Sequence, residues 1–268
     1  MMIGALVCSI GAVICYMLCY HMTTERVKVE QNTQKFSFKE LISEIAHNKA
    51  LIGIIVCALL FLLAQLSLSN MNNYIYPNYF GNVSAMSLAN LAGMVVILVL
   101  STFIVKLSAK VGKKELSVIG SIISAAAFLI LFFIHTDNVW VWIVLVLISS
   151  VGTAMFNMVI WAMITDVIDD SEVRTGVRQD GTIYSVYSFA RKLGQACSSG
   201  ISGVLLSIIG YTAATAHDPK VVDGIYNVTC LVPALGMILL FLALQFLYPL
   251  NKKRVEENAK ILKERREA

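Results

Sequence analysis

The hydrophobic residues of this chain fall into long blocks separated by short polar stretches. Seven blocks are visible, at 1–20, 50–69, 88–105, 116–134, 139–165, 182–209 and 225–248. Each is close to the roughly 20 residues with which a helix crosses about 30 Å of hydrocarbon. Helices of soluble proteins expose a polar face, and these blocks have almost none. The pattern predicts an all-α polytopic membrane protein with about seven transmembrane helices.

The composition supports a lipid bilayer as the main partner. Of the 268 residues, 57% are hydrophobic and 14% charged, against about 25% charged in an ordinary soluble domain. The six cysteines all lie within the apolar blocks, where a thiol behaves as a small apolar group, so no disulfide framework is predicted. The four histidines are scattered among the connections. We therefore expect no metal site and no catalytic residues.

The basic residues predict an orientation. When the connections are assigned alternately to two sides, all but Lys220 of the 21 lysines and arginines fall on one side. By the positive-inside rule this side is cytoplasmic, and it includes the C-terminus. The net charge of +4 therefore reports membrane orientation, and no nucleic-acid partner is expected. We predict a multi-pass protein of the plasma or inner cell membrane.

The spacing of the blocks predicts four regions. They are a transmembrane helix at 1–20, a cytoplasmic linker at 21–49, a six-helix bundle at 50–250 and a basic cytoplasmic tail at 251–268. Within the linker, Ser37 and Glu40 have the spacing of a capping box, and the apolar residues from Phe38 to Ile45 share one stripe, which predicts an amphipathic helix on the membrane surface. One helix, a long connection and six closely spaced helices suggest a join between two six-helix halves, with most of the first half missing.

Charges of both signs are concentrated near the end of the fifth block. They are Asp166, Asp169, Asp170, Glu172, Arg174 and Arg178. A plain solvated loop is one interpretation, since exposed ion pairs contribute only about 0–1 kcal/mol each. The alternative is a latch that is made in one conformation and broken in another, because Asp166 and Asp169 are three residues apart and would point back toward the bundle. In both interpretations, 166–181 is a long cytoplasmic connection.

The sixth block carries two adjacent cations inside an apolar helix. At 28 residues it would be about 42 Å long, which exceeds the hydrocarbon thickness. We expect Arg191 to reach the cytoplasmic headgroups and Lys192 to face the bundle interior, because Lys192 shares its stripe with Ser188 and small residues such as Gly203. The run 194–203 is small and weakly polar, which suits either close helix packing or the border of a wet cavity. Ionisable groups within a membrane are rare without a function, and this favours a functional Lys192.

Two further sets of residues have both a functional and a structural interpretation. Asn157 and Trp161 are four apart and share a helix face, which suits a sugar lying against the indole with a hydroxyl bound to the amide; helix packing with an interhelical hydrogen bond is the alternative. The stretch 70–82 is rich in tyrosine and asparagine. Its tyrosines suit an interfacial belt, and a sugar entrance is the alternative.

The stretch WAMITDVIDDSEVRTGVRQDGTIYSVYSFARKLG, residues 161–194, resembles the signature of helices ten and eleven in the glycoside–pentoside–hexuronide:cation symporters, the melibiose permease relatives of the major facilitator superfamily. The basic stretch VKLSAKVGKKE, residues 105–115, is similar to the turn between the second and third helices of that family's second half. The resemblance implies that the chain corresponds to family helices six to twelve plus the tail, or half of a major-facilitator-type bundle.

The resemblance also implies roles for individual residues. The cytoplasmic gate charges of the family correspond to Asp166, Asp169, Glu172, Arg174 and Arg178. The family's lysine between sugar and cation sites corresponds to Lys192, and neighbouring sugar-side positions correspond to Tyr187, Ser188 and Arg191. Asp170 departs from the pattern, because the family usually has tyrosine there. The family's cation-binding carboxylates lie on first-half helices, and no span here has an acidic residue before Asp166.

The resemblance implies a secondary active transporter of glycosides, pentosides or hexuronides, driven by Na⁺, H⁺ or Li⁺ and working by alternating access. The chain would be incomplete or split, and a missing N-terminal half is an expected partner. The alternative is a non-transporting membrane sensor or scaffold with the same fold. A membrane enzyme is disfavoured because no His/carboxylate or Ser/His set falls at one membrane depth.

Overall fold

A computed structural model of the chain describes residues 2–24 and 48–267. The amphipathic helix expected in the linker falls outside the described residues. Within them the protein is helical and has no strand. The helices are α1 (Met2–Met22), α2 (Lys49–Tyr74), α3 (Val83–Val111), α4 (Lys113–Ile134), α5 (Val139–Thr175), α6 (Asp180–Ile208), α7 (Pro219–Phe246) and α8 (Lys252–Glu267).

The chain divides into two units, one containing α1 and the other containing α2–α8. α1 is a 21-residue apolar helix, long enough at about 1.5 Å per residue to cross the hydrocarbon. In the second unit, α4 packs against both α5 and α7, α2 packs against α6 and α7, and α3 lies along α5. The tail is not an extended segment: it folds as α8, which contacts the end of α5.

Six of the described helices are long and apolar enough to cross a membrane. They are α1, α2 with the π-helical turn Ile75–Tyr79 that continues it, α3, α4, α5 and α7. α6 is long enough, at 29 residues, but it is much less apolar on average. The polytopic fold is thus confirmed, and six rather than seven spans meet the hydropathy requirement in the described part of the chain.

Most helices extend beyond the predicted apolar blocks at one end or both, whereas α6 and α7 end at Ile208 and Phe246, one and two residues before the predicted ends. α5 continues from the predicted end at 165 to Thr175, so the predicted connection 166–181 is wrong and shrinks to 176–179. Hydropathy detects only the apolar part of a helix, whereas the backbone hydrogen bonds continue into polar sequence. Asparagine caps set the N-termini of α2, α3 and α5, where Asn48, Asn82 and Asn138 each accept a hydrogen bond from a first-turn amide at 2.9–3.0 Å.

The apolar core lies between α2, α4, α5 and α7. Phe61 of α2 and Phe156 of α5 meet with ring centres 5.0 Å apart. α4 and α5 approach closely at Gly120 and Gly152, because each glycine faces the other's backbone carbonyl with no room for a Cβ. α3 and α6 bury few residues and leave long exposed faces. They therefore form the outer surface of this unit, and the candidate site lies on that surface.

Candidate functional site

An arginine stacks on aromatic rings where α5 and α6 face one another. The guanidinium carbon of Arg191 lies 4.8 Å from the ring centre of Trp161 and 5.8 Å from that of Tyr187. Trp161 in turn meets Tyr187 edge to face at 5.9 Å and lies 6.0 Å from the ring of Tyr184. A guanidinium within about 6 Å of an aromatic face is attracted by the ring quadrupole. Arg191 therefore turns toward α5 and does not extend outward as expected from the sequence.

These residues border an open cleft of about 230 Å³, which we call the aromatic cleft. Its lining consists of Trp161, Ser188, Arg191, Lys192 and Gln195. Lys192 is exposed there and makes no ion pair or hydrogen bond with the described residues. The cleft thus combines an indole face, a hydroxyl, an amide and two cationic groups, a set that can bind a polar or anionic ligand with one apolar side.

The other predicted ligand-side residues lie outside the aromatic cleft. Tyr187 is fully buried behind Trp161, where it supports the indole. Asn157, one helical turn from Trp161, borders a separate depression of about 70 Å³ that is also lined by Gln65, Ser150 and Thr153. Gln65 was missed by the sequence analysis, since a lone glutamine in an apolar block gives no pairing signal. The structure thus brings together Trp161, Ser188, Arg191 and Lys192 but not Asn157.

The second candidate region is a group of ion pairs at the end of α5, which we call the charge network. Arg178 is its most connected residue, with carboxylate oxygens of Asp169, Glu172 and Asp180 at 2.9, 2.7 and 2.8 Å. Burial alone would lower the pKa of Arg178. Its hydrogen bonds to these three carboxylates outweigh this effect, so the pKa of Arg178 lies above its ordinary value. Arg178 therefore ties the last turns of α5 to the start of α6.

The two remaining acidic residues of α5 have partners on other helices. Asp166, 7% exposed at its side chain, pairs with Nζ of Lys113 at 2.6 Å, which joins α5 to the start of α4. Asp170, 4% exposed at its side chain, binds Nε of Arg174 at 3.0 Å and Nε of Arg254 at 3.2 Å. Arg174 therefore pairs with the residue that departs from the family pattern, and Lys113 and Arg254 are partners that the sequence analysis missed.

The two candidate regions consist of ion pairs and of polar groups beside an aromatic ring. No three histidine, cysteine or acidic side chains gather as a metal site in the described part of the chain. The charge network joins neighbouring helix ends, and the aromatic cleft presents groups that can form hydrogen bonds and ion pairs with a solute. The two regions lie on the same pair of helices. Trp161 and Asp166 are five residues apart in α5, and Arg178 precedes α6 while Arg191 lies in its first half.

Comparison with known proteins gives a consistent set of relatives. The family described as MFS/sugar transport protein matches residues 1–252. YjmB, an uncharacterized symporter of Bacillus subtilis, is 31% identical over 240 residues, which are 89% of this chain and 52% of the relative. The glucuronide carrier protein homolog of Escherichia coli is 30% identical over 259 residues (94% and 55%), and the isoprimeverose transporter of Lactiplantibacillus pentosus is 25% identical over 267 residues (95% and 55%). The chain spans about half the length of these curated relatives.

Proposed function

The chain belongs to the MFS/sugar transport protein family, a family of transporters and not of enzymes, and we propose that it acts as the substrate-binding and gating half of a sugar:cation symporter. The observation that carries this proposal is the aromatic cleft, in which Lys192 and Arg191 flank an indole on the exposed surface of α5 and α6. In this proposal α6 is the seventh transmembrane helix.

The polarity of α6 supports a water-lined environment. A lysine at the centre of a lipid-facing helix costs about 2.5–3.5 kcal/mol on insertion scales. A helix with Arg191, Lys192 and several exposed serines and glycines is therefore most stable when this face lines a polar path. The depression beside Asn157 also lies on an exposed face, as the aromatic cleft does, since Gln65 and Asn157 are both exposed. A sugar fits this surface because its apolar ring face can cover Trp161 while its polar groups reach the cations and amides.

The cations also favour a sugar with a negative charge. Arg191 is already stacked on Trp161, whereas Lys192 has no partner among the described residues, so Lys192 can bind a carboxylate or a hydroxyl. One relative is named as a glucuronide carrier homolog and another as an isoprimeverose transporter. We propose a glycoside, pentoside or hexuronide as the substrate, with the hexuronide favoured.

The charge network is the proposed gate. It holds the ends of α4, α5 and α6 together through side-chain ion pairs, which can separate without breaking any backbone hydrogen bond. In alternating access, a network of this kind stabilises the conformation in which its end is closed and is released when that end opens. On the basis of the positive-inside rule, we propose that this end and the C-terminus face the cytoplasm.

A coupling cation and a second half complete the proposal. Na⁺, H⁺ or Li⁺ would drive uptake, and a second helical half, corresponding to the part of the relatives that this chain does not match, would supply the cation site and the other wall of the path. The exposed faces of α3 and α6 are the surfaces where that half would contact this chain.

Transport in sealed vesicles tests this proposal. Vesicles would contain this chain together with a polypeptide corresponding to the remaining half of the relatives, and vesicles with either component alone serve as controls. We expect uptake of a radiolabelled glucuronide or glycoside that rises with an inward Na⁺, H⁺ or Li⁺ gradient. Sugar binding without cation-dependent uptake under any gradient would support a sensor and overturn the transport proposal.

A further inference from the structure

The C-terminal helix α8 is joined to α5 by a buried carboxylate. One oxygen of Asp170 accepts hydrogen bonds from Nε of Arg254 at 3.2 Å and Nδ2 of Asn258 at 3.1 Å. Its other oxygen faces Nε of Arg174 at 3.0 Å. Asp170 and Asn258 are only 3% and 6% exposed. Two of the three side chains that satisfy this carboxylate therefore come from the tail.

A second set of contacts caps the end of α5 with the end of α8. Arg265 donates hydrogen bonds to the backbone carbonyls of Glu172 and Val173 at 3.4 and 3.1 Å. The last carbonyls of a helix have no intrahelical partner, and a cation near them is favourable. Leu262 is buried at 4% exposure between these polar contacts. α8 therefore binds the last turns of α5 along most of its length.

The contacts of α8 continue into the proposed gate. Glu172 binds Arg178 at 2.7 Å and Arg266 of α8 at 3.4 Å through the same oxygen. One carboxylate of α5 is thus shared between the residue that leads into α6 and the tail helix. A movement that separates α5 from α6 at this point also changes the surroundings of α8.

We propose that Arg254 and Asn258 are positioning residues of the gate, and that the end of the bundle opens only when α8 releases Asp170. This inference rests on the proposed transport function. A buried carboxylate is costly unless its oxygens are hydrogen-bonded, so the docked tail stabilises the closed arrangement of α5. When α8 is released, Asp170 becomes hydrated, and the closed arrangement loses this advantage over the open one.

Chemical labelling of the tail tests the docking. In a variant without the six native cysteines, Leu262→Cys reports release of α8, and Ile261→Cys, at an exposed position of the same helix, is the control. Arg254→Gln combined with Asn258→Ala should raise the maleimide labelling rate at position 262 about tenfold or more, because hydrogen bonds to a buried charge are lost. Asp170→Asn, which keeps the side-chain shape, should raise the rate in the same direction.

A matched pair on the solvent side of α8 controls for general loss of charge. Lys260 and Glu264 form an exposed pair at 4.0 Å, so Lys260→Gln with Glu264→Gln should leave the labelling at position 262 unchanged. If the Arg254/Asn258 variant also leaves this rate unchanged, Asp170 does not hold the tail and the inference is overturned.

A second probe separates a gate role from a purely structural one. Ile183, 2% exposed at the start of α6, would be replaced by cysteine to report separation of α6 from its neighbours. We expect the Arg254/Asn258 variant to increase labelling at position 183 and to lower the maximal uptake rate. Arg254→Lys in place of Arg254→Gln should bring the labelling rate and the uptake rate part of the way back to those of the parent protein. Release of the tail with unchanged labelling at 183 and unchanged uptake would overturn the inference while leaving transport intact. Absence of uptake in the unmodified protein would instead overturn the proposed function, and the two labelling rates would still decide whether tail and gate move together.

Discussion

The guanidinium of Arg191 lies over the indole of Trp161 at 4.8 Å, so that a cation from α6 is held against the surface of α5. The contact fixes both side chains that flank Lys192 in the aromatic cleft. It also explains why two adjacent cations on one helix have different surroundings. Arg191 has an aromatic partner, and Lys192 remains available to a ligand.

The first prediction concerns this contact. Trp161→Ala and Arg191→Gln should each lower thermal stability in detergent, and the double variant should be less destabilised than the sum by about 0.5–1 kcal/mol, the coupling expected for a partly exposed cation–π pair. Phe189→Ala, at an exposed position of α6, should show no such coupling with Trp161→Ala. Strictly additive effects of the first pair would show that the stacking does not contribute to stability.

The second prediction compares two arginines of the charge network. Arg178→Gln removes three ion pairs, whereas Arg174→Gln removes one from an Asp170 that keeps Arg254 and Asn258. Labelling of Ile183→Cys should therefore increase more in the Arg178 variant. The difference should shrink at about 1 M salt, where the Debye length falls to about 3 Å. An equal or larger effect of Arg174→Gln would contradict the assigned contacts.

The third prediction concerns the pair that joins α4 to α5. Asp166 is buried and Lys113 is 31% exposed at its side chain. Lys113→Met should therefore lower the free energy of unfolding by about 1–3 kcal/mol, which is less than the loss on breaking a fully buried pair. Adding Asp166→Asn should recover part of this loss, because the unpaired charge is removed. Thermal unfolding measures both effects, with Lys106→Met as an exposed control. A double variant less stable than Lys113→Met alone would argue against the pairing.

The fourth prediction concerns the close approach of α4 and α5. A Cβ at position 152 would collide with the backbone oxygen of Gly120, so Gly152→Ala should destabilise the protein by about 1–3 kcal/mol through overpacking. Gly181→Ala, at a helical position with open space around it, should be neutral or stabilising by up to about 1 kcal/mol. If both variants unfold at the temperature of the parent protein, the two helices do not pack at these glycines.

The apolar blocks were sufficient to predict most of the helices, because burial in lipid requires long apolar runs that are visible in any window of the sequence. They were not sufficient for the ends. α5 extends to Thr175 through acidic residues that hydropathy counts as a connection, and α8 is helical without being apolar. Helical hydrogen bonding in polar sequence depends on contacts with other elements, which a single segment does not reveal.

The candidate site, like the helices, could be predicted from the sequence only in part. The types of residue in the charge network were evident from the sequence, and the link between Arg178, Asp169 and Glu172 is local enough to expect. The partner of Asp166 is 53 residues away, and Arg254 is 84 residues from Asp170. No periodicity encodes pairs at such separations. The position of Arg191 over Trp161 likewise depends on how α5 and α6 pack, which the sequence pattern left open.

Sugar-dependent cation uptake by the Lys192→Ala variant measures whether the ammonium group of Lys192 belongs to the substrate path. In vesicles that contain the transport-competent protein, we expect Lys192→Ala to be present in the membrane at near-normal levels but to show no coupled uptake. Lys220→Ala, a change at an exposed lysine in the first turn of α7, should take up sugar and cation like the parent protein. Normal coupled uptake by Lys192→Ala would contradict the claim that this ammonium group belongs to the substrate path.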